Sequence, residues 1–146
     1  MHVPTITTTP FFEGLLTVGK LLGMSRSVAT VFALLYSTDG AISVEAIGAE
    51  TRLSRSAVSL AMRDLLQLGL AQEVGMLGER CRYYAGQPDL SQAVKQMVFA
   101  RLEPTFSELR AKLSDPSAPT ERLQQAHRLL HTLQLALQVI QAKKDH

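Results

Sequence analysis

The fold is decided by residues 51–85, which read TRLSRSAVSLAMRDLLQLGLAQEVGMLGERCRYYA. Ser54 is a good N-cap for a helix over residues 55–68, and Gly69 supplies the C-terminal stop. The helical part is therefore bounded at both ends by residues whose backbone chemistry favours those positions. We expect one well-defined helix here, followed at once by a different kind of structure.

The segment before this helix predicts a second, shorter helix. Ser43 can cap a helix over residues 44–50 that buries Val44, Ile47 and Gly48. Residues 51–53 then form a tight connection to the helix over 55–68. Two short helices joined by a turn of about three or four residues are the signature of a helix-turn-helix.

The segment behind the longer helix predicts a β-hairpin. Residues 70–74 alternate between apolar and polar, residues 75–79 form a Gly-bounded loop, and alternation resumes over residues 80–85. A hairpin directly after the second helix of a helix-turn-helix is a wing. The expected fold class is therefore mainly α with a small β-hairpin wing.

The helix over 55–68 has two chemically different faces at about 100° per residue. One face is apolar and suited to burial, with Val58, Ala61, Met62 and Leu65. The opposite face carries Arg55, Ser56, Ser59 and Arg63, with Leu60 beside them. Small hydroxyls let the backbone approach a DNA groove closely, while Arg reaches guanine or phosphate. An ordinary solvated helix face is the alternative.

The predicted wing adds further basic side chains. Arg80 and Arg82 are two residues apart, which places them on one strand face where they would contact the DNA backbone or minor groove. Cys81 then points to the opposite face, toward the core, although a redox switch at the wing is the alternative. We expect one of Tyr83 and Tyr84 to pack the hairpin against the helices. A role of the pair in stacking on bases is the alternative.

The rest of the chain is predicted to be helical. Residues 1–10 form an arm, and Phe11, Leu15, Val18 and Leu22 recur at helical spacing over residues 11–22. A buried helix follows over 26–36, capped by Ser25. We divide the chain into the arm and first helix (1–22), the winged helix-turn-helix (23–88) and a C-terminal helical dimerisation region (89–146).

The C-terminal region is predicted to hold two long helices. Pro104 removes a backbone hydrogen bond, so a kink or a break is expected near Glu103. Met97 and Phe99 would line an effector pocket or belong to the core. The last helix begins near Thr120 and carries an apolar stripe with the spacing of a helix–helix seam, which we assign to dimerisation: Leu123, Ala126, Leu130, Leu133, Leu137 and Ile140.

Composition limits the other classes of protein. The net charge is only +2, but basic residues outnumber acidic ones within residues 52–82. The basic residues there are Arg52, Arg55, Arg63, Arg80 and Arg82, and the acidic ones are Asp64, Glu73 and Glu79. The single cysteine excludes an internal disulfide and a Cys-cluster metal site. No signal peptide, membrane span or enzyme motif is apparent, so we expect a cytoplasmic protein that is not an enzyme and needs no cofactor.

One pair of histidines fits a metal site in spacing alone. His127 and His131 stand at i and i+4 on the last helix, and only His2, His146 or a second copy of the chain would complete the ligand set. Polar residues flanking a dimer seam are the favoured interpretation, so no metal is expected.

Several motifs together resemble the MarR family, in particular its GbsR-like branch. They are GMSRSV (23–28), ISVEAI (42–47), SRSAVS (54–59) and GERCRYY (78–84). Their order and spacing span somewhat under half of the chain. The resemblance implies a homodimer with interlocking terminal helices, two recognition helices in successive major grooves, and repression relieved by a small-molecule effector or by oxidation.

The sequence therefore predicts a sequence-specific transcriptional regulator that binds double-stranded DNA as a homodimer. The alternatives are a winged-helix protein-interaction adaptor and a small-molecule sensor with secondary DNA contact. The residues assigned to DNA binding are Arg52, Ser54, Arg55, Ser56, Ser59, Arg63, Arg80 and Arg82.

Overall fold

The computed structural model describes residues 6–75, 78 and 80–142. Residues 1–5 of the predicted arm, the loop residues Met76, Leu77 and Glu79, and residues 143–146 lie outside this range. The rest of the predicted arm, residues 6–10, is not extended, because it holds a 3₁₀ helix and the first residue of the following α-helix. The chain forms two compact units, one ending at Leu90 and the other beginning at Ser91.

The α-helices and the two strands of the wing follow the predicted order. A short 3₁₀ helix (Ile6–Thr8) precedes α1 (Pro10–Leu21), α2 (Arg26–Ser37), β1 (Ile42–Ser43), α3 (Val44–Thr51), α4 (Arg55–Gln67), β2 (Ala71–Val74), β3 (Tyr83–Gly86), α5 (Leu90–Lys112) and α6 (Thr120–Ala142). Mainly helical structure with a small antiparallel sheet confirms the predicted fold class.

Helix α2 is the centre of the first unit. Ser25 caps it as predicted, because its side chain accepts a hydrogen bond from the Val28 N–H. Phe32, Leu34 and Leu35 are among its fully buried side chains, and Phe32 also contacts the Tyr36 ring at a centroid distance of 5.1 Å. This helix is buried over most of its surface because other elements pack around it.

Helix α1 contacts α2 through a different face from the one predicted. Leu15 is buried as expected, but Phe12 and Gly19 replace Phe11 and Val18 along the contact. A Cβ atom at Gly19 would lie 3.0 Å from the Ala29 Cβ. The small Gly19 thus allows a close approach of the two helices, and the prediction failed because it counted only large apolar residues.

The sheet has three strands in the order β1-β3-β2, all antiparallel. Tyr84 of β3 is the central residue, since it pairs with Ile42 on one side and Glu73 on the other. The sequence predicted only the β2–β3 hairpin. It missed β1 because two residues are too few to show alternation, and Ser43 also caps α3 by accepting from the Ala46 N–H.

The predicted start of the second wing strand was wrong. Strand β3 begins at Tyr83, so Arg80, Cys81 and Arg82 precede it and strand alternation does not govern their directions. Cys81 is exposed rather than turned toward the core. Tyr84 is buried and packs the hairpin on the body, as predicted for one of the two tyrosines.

Tyr36 joins α2 to the sheet. Its hydroxyl donates a hydrogen bond to the Leu70 carbonyl at 2.6 Å and accepts one from the Gln87 N–H at 3.0 Å. Burial raises the pKa of Tyr36 above its ordinary value, although the Gln87 hydrogen bond acts in the opposite direction. This side chain joins the chain just before β2 and just after β3 to helix α2.

The second unit is a helical hairpin of α5 and α6. Its core consists of Phe106, Leu130 and Leu137, with Val98, Leu109 and Leu113 packed against them. Helix α5 continues through Pro104, so the predicted break does not occur. A proline in a helix removes one backbone hydrogen bond but keeps a helical φ, and the remaining bonds of a long helix are sufficient to carry it across.

Candidate nucleic-acid interface

The rotation of α4 about its own axis is set by its ends and by its buried face. The Ser54 Oγ accepts a hydrogen bond from the Ala57 N–H at 3.2 Å, and Gly69 has a φ of +73° just past the C-terminus. The predicted inner residues are all buried: Val58, Ala61, Met62 and Leu65. Both predictions for this helix are thereby confirmed.

The outer face of α4 is presented to solvent because the inner face is fixed. Arg55, Ser56, Ser59 and Arg63 are exposed, as their predicted placement requires. Leu60 lies on the same side of the helix and is 51% exposed. The exposed face thus combines hydroxyls, guanidinium groups and one branched apolar side chain.

The turn into α4 has an unusual backbone conformation. Arg52 closes α3 in the left-handed region at φ 59°, and its N–H donates to the Gly48 carbonyl at 2.8 Å. Thr51 supports the turn, because its Oγ1 donates to the Ile47 carbonyl and accepts from the Leu53 N–H. No Gly or Asn marks this position in the sequence, so the conformation was not predictable from residue type.

The wing comes close to α4 at one point. A groove of about 410 Å³ is lined by Ser59, Leu60 and Arg63 from α4 and by Arg82 and Tyr84 from the wing. The Arg82 carbonyl accepts a hydrogen bond from the Val44 N–H at 3.3 Å, which holds this part of the wing against α3. The structure therefore brings together three of the predicted site residues, which are Ser59, Arg63 and Arg82.

The charge of this groove is uniform. Arg63 and Arg82 line it, and no acidic side chain is among its described lining residues. Two guanidinium groups beside one concave surface attract an anionic partner, because their potentials add where field lines converge. The arrangement suits a polyanion better than a neutral ligand.

The other predicted site residues lie elsewhere on the first unit. Arg80 is exposed, but it is not among the described residues of this groove. Arg52 lines a second groove of about 680 Å³, together with Arg26, Glu13 and Glu50. The Ser54 hydroxyl already caps α4 and lies 3.2 Å from the Ser56 Oγ.

One of the two histidines of α6, His127, has a hydrogen-bond partner within its own unit. The Nε2 atom of His127 is hydrogen-bonded to the Leu113 carbonyl at 2.9 Å, and His131 lines the same surface depression. Within residues 6–75, 78 and 80–142, no three His, Cys, Asp or Glu side chains are grouped so as to hold a metal ion. His2 and His146 lie outside that range.

Comparison with known proteins places the fold. The chain is similar to a transcriptional regulator of known crystal structure, with 22% identity over 94% of each chain and a TM-score of 0.70. At this identity the likeness supports the fold alone, which is a winged helix-turn-helix. No protein-family model and no curated protein matches the chain.

Two further proteins of known structure show a looser similarity. One is a MarR-family transcriptional regulator from Silicibacter pomeroyi, 20% identical over 92% of this chain and 85% of that one, with a TM-score of 0.45. The other is Streptococcus pneumoniae FabT in complex with DNA, 14% identical over 88% of this chain and 91% of that one, with a TM-score of 0.39. Both likenesses are too loose to bear on individual residues.

None of the helices in the described part of the chain combines the length and the apolar character needed to cross a bilayer.

Proposed function

We propose that this chain is a sequence-specific transcriptional regulator of the MarR type that binds duplex DNA as a cytoplasmic homodimer. The observation that carries the proposal is the groove in which Ser59 and Arg63 of α4 meet Arg82 of the wing. Its positive charge complements the DNA phosphates, and the exposed hydroxyls of α4 can hydrogen-bond to base edges.

In the proposed complex, α4 enters the major groove. Ser56 and Ser59 have short side chains, so the backbone of α4 can approach the base edges closely. Arg63 reaches guanine, since a guanidinium can donate two parallel hydrogen bonds to its O6 and N7 atoms. Arg55 acts from the beginning of the same helix.

The flanking phosphates are the proposed partners of the remaining basic residues. Arg82 and Arg80 of the wing contact the backbone or the minor groove beside the site read by α4. Arg52 contacts a phosphate near the turn, where Ser54 serves mainly to cap the helix. Such contacts contribute affinity and orientation, and they make binding dependent on salt.

The test is a titration of the full chain with a duplex from its own upstream region, beside a scrambled duplex. We expect a Kd of about 10⁻⁸ M or tighter for the native duplex and much weaker binding to the scramble. Arg63→Ala should weaken specific binding by about 1–3 kcal/mol and relax the preference at one base pair. Arg122→Ala, an exposed arginine on α6, serves as the matched control.

Two results would contradict this proposal. Equal loss of affinity of Arg63→Ala for every duplex would make Arg63 a phosphate contact instead of a base contact. Failure of the chain to prefer any duplex, including those selected from a random pool, would leave the protein-interaction adaptor as the better function. Under that function the arginines would be dispensable.

The homodimer is supported by apolar side chains that the single chain leaves uncovered. On α6 these are Leu129, Leu133, Leu135, Val139 and Ile140, and on α1 they are Phe11, Val18 and Leu21. Large apolar side chains that stay exposed in numbers on one helix favour an interaction site there. The predicted dimer stripe is divided, because Leu130 and Leu137 pack inside their own hairpin while Leu133 and Ile140 stay exposed.

Repression relieved by a small-molecule effector completes the proposal. The second unit has a groove of about 530 Å³ between α5 and α6, lined by Val98, Phe99, Leu137 and Ile140 among others. This volume lies in the range of about 300–1,000 Å³ that small-molecule sites occupy. Phe99 lines the groove, whereas Met97 is buried.

A further inference from the structure

Leu60 is the feature of α4 that the proposed DNA contacts leave unused. Its side chain is 51% exposed, although α4 has a fully formed inner face for apolar residues. Its neighbours one helical turn away are Ser56 and Arg63, at i−4 and i+3. Leu60 therefore lies within the surface that the helix presents to its partner.

The chemistry around Leu60 restricts what that partner offers. Leu60 lines the same groove as Ser59, Arg63 and Arg82, so an apolar side chain lies among hydrogen-bond donors and positive charges. A polyanionic partner with an apolar group at this depth would satisfy both features. In the major groove of B-DNA that apolar group is the C5 methyl of thymine, which distinguishes T·A from the other base pairs.

We infer that Leu60 reads a thymine methyl group and so determines specificity at one base pair of each half-site. This inference rests on the proposed function, because it requires α4 to enter the major groove. It adds a base preference that hydrogen-bonding residues alone do not provide. The preference arises from the transfer of a methyl group and part of the Leu60 side chain out of water.

The size of the effect follows from the area involved. Burial of one methyl group changes an association constant by about three- to fivefold. Replacing the relevant thymine by deoxyuridine removes that methyl and leaves the hydrogen-bonding edges unchanged. We therefore expect a three- to fivefold loss of affinity at that single position.

The experiment begins with duplexes that the full chain selects from a random pool. Each thymine of the selected site is replaced in turn by deoxyuridine, and Kd is measured for the wild-type chain, for Leu60→Ala and for Leu66→Ala. Ala is the best helix former, so Leu60→Ala keeps α4 intact. Leu66 lines the same groove but is less exposed and borders the buried face, which makes its variant the matched control.

The expected result is position-specific. The wild-type chain and Leu66→Ala lose three- to fivefold at one thymine, whereas Leu60→Ala binds the thymine and deoxyuridine duplexes equally. If the wild-type chain tolerates deoxyuridine everywhere, or Leu60→Ala keeps the same discrimination, the role of Leu60 is overturned and the proposed function stands. If the selection yields no preferred sequence, the proposed function fails and the Leu60 inference fails with it.

Discussion

At the scale of single residues, Tyr36 and Gly86 show how closely the wing is fitted to the helical body. The Tyr36 ring packs on Phe32, and its hydroxyl bridges the Leu70 carbonyl and the Gln87 N–H. Gly86 ends β3 directly over this ring. The position of the wing arginines therefore depends on a contact that lies away from the proposed DNA-binding surface.

Gly86→Ala tests this fit. A Cβ atom at Gly86 would lie 2.7–2.9 Å from three atoms of the Tyr36 ring, closer than real contacts allow. Because the ring is held by its own hydrogen bonds, we expect a loss of about 1–3 kcal/mol in the free energy of unfolding, measured by urea denaturation. Gly75→Ala is the control, since no atom of the described residues lies within 4 Å of its added Cβ. Similar stability of the two variants would contradict the argument.

Tyr36→Phe tests the hydroxyl and its pH dependence. Loss of the bridge between Leu70 and Gln87 should cost about 1–3 kcal/mol at neutral pH. Since the folded-state pKa is raised above 10.0, the unfolded chain releases the Tyr36 proton first, and stability falls as the pH rises above 10.0.

Urea denaturation at a series of pH values between neutral and strongly alkaline measures this effect. The wild-type chain should lose more stability than Tyr36→Phe as the pH rises, because the variant lacks the half-buried Tyr36 hydroxyl whose pKa is raised. Parallel curves for the two chains would show that Tyr36 ionises equally in the folded and unfolded states.

At the scale of elements, the α3–α4 turn combines a structural and a proposed functional demand. Arg52 occupies a left-handed conformation that glycine adopts with less strain. An arginine at this strained position agrees with the proposal that Arg52 contacts DNA.

Arg52→Gly separates the two demands. We expect the free energy of unfolding to rise by about 0.5–1 kcal/mol, because the positive φ no longer carries a Cβ. DNA affinity should fall at the same time, with a smaller salt dependence, because one phosphate contact is lost. Arg55→Gly, at the first residue of α4, is the control and should lower stability. A variant at position 52 that is less stable than the wild-type chain would contradict the expected effect.

At the scale of the whole molecule, the proposed homodimer depends on the exposed apolar residues of α6. A helix-turn-helix dimer contacts two half-sites about one helical turn of DNA apart, so affinity depends on the assembly as well as on α4. The mass of one chain is 16.0 kDa, and the proposed species in solution is twice that mass.

Leu133→Glu should disrupt this assembly. The substitution places a charge within the exposed apolar residues of α6, which a partner chain would otherwise cover. Light scattering coupled to gel filtration should show a dimer for the wild-type chain and a monomer for the variant, with a parallel loss of DNA affinity. Gln124→Glu adds the same charge nine residues away, on about the opposite side of the helix, and should remain dimeric. A concentration-independent monomer of the wild-type chain would refute the homodimer.

The amino-acid sequence by itself determined the order of the α-helices and the two wing strands, and the two faces of α4. Helix caps, stop glycines and periodicity are local signals, and Ser25, Ser43, Ser54 and Gly69 act in the structure as their residue types predict. The same signals identified Arg55, Ser56, Ser59 and Arg63 as one exposed face. Local chemistry is sufficient for these features because each depends on residues within about one helical turn.

Only the tertiary structure decided which elements meet. The contact line of α1, the third strand of the sheet, the start of β3 and the exposure of Cys81 each depend on residues far apart in the chain. The groove that joins Ser59 and Arg63 to Arg82 is of the same kind, because it exists only where the wing packs beside α4. Periodicity shows which side of a helix is apolar, but close packing at Gly19 and Gly86 sets which atoms touch.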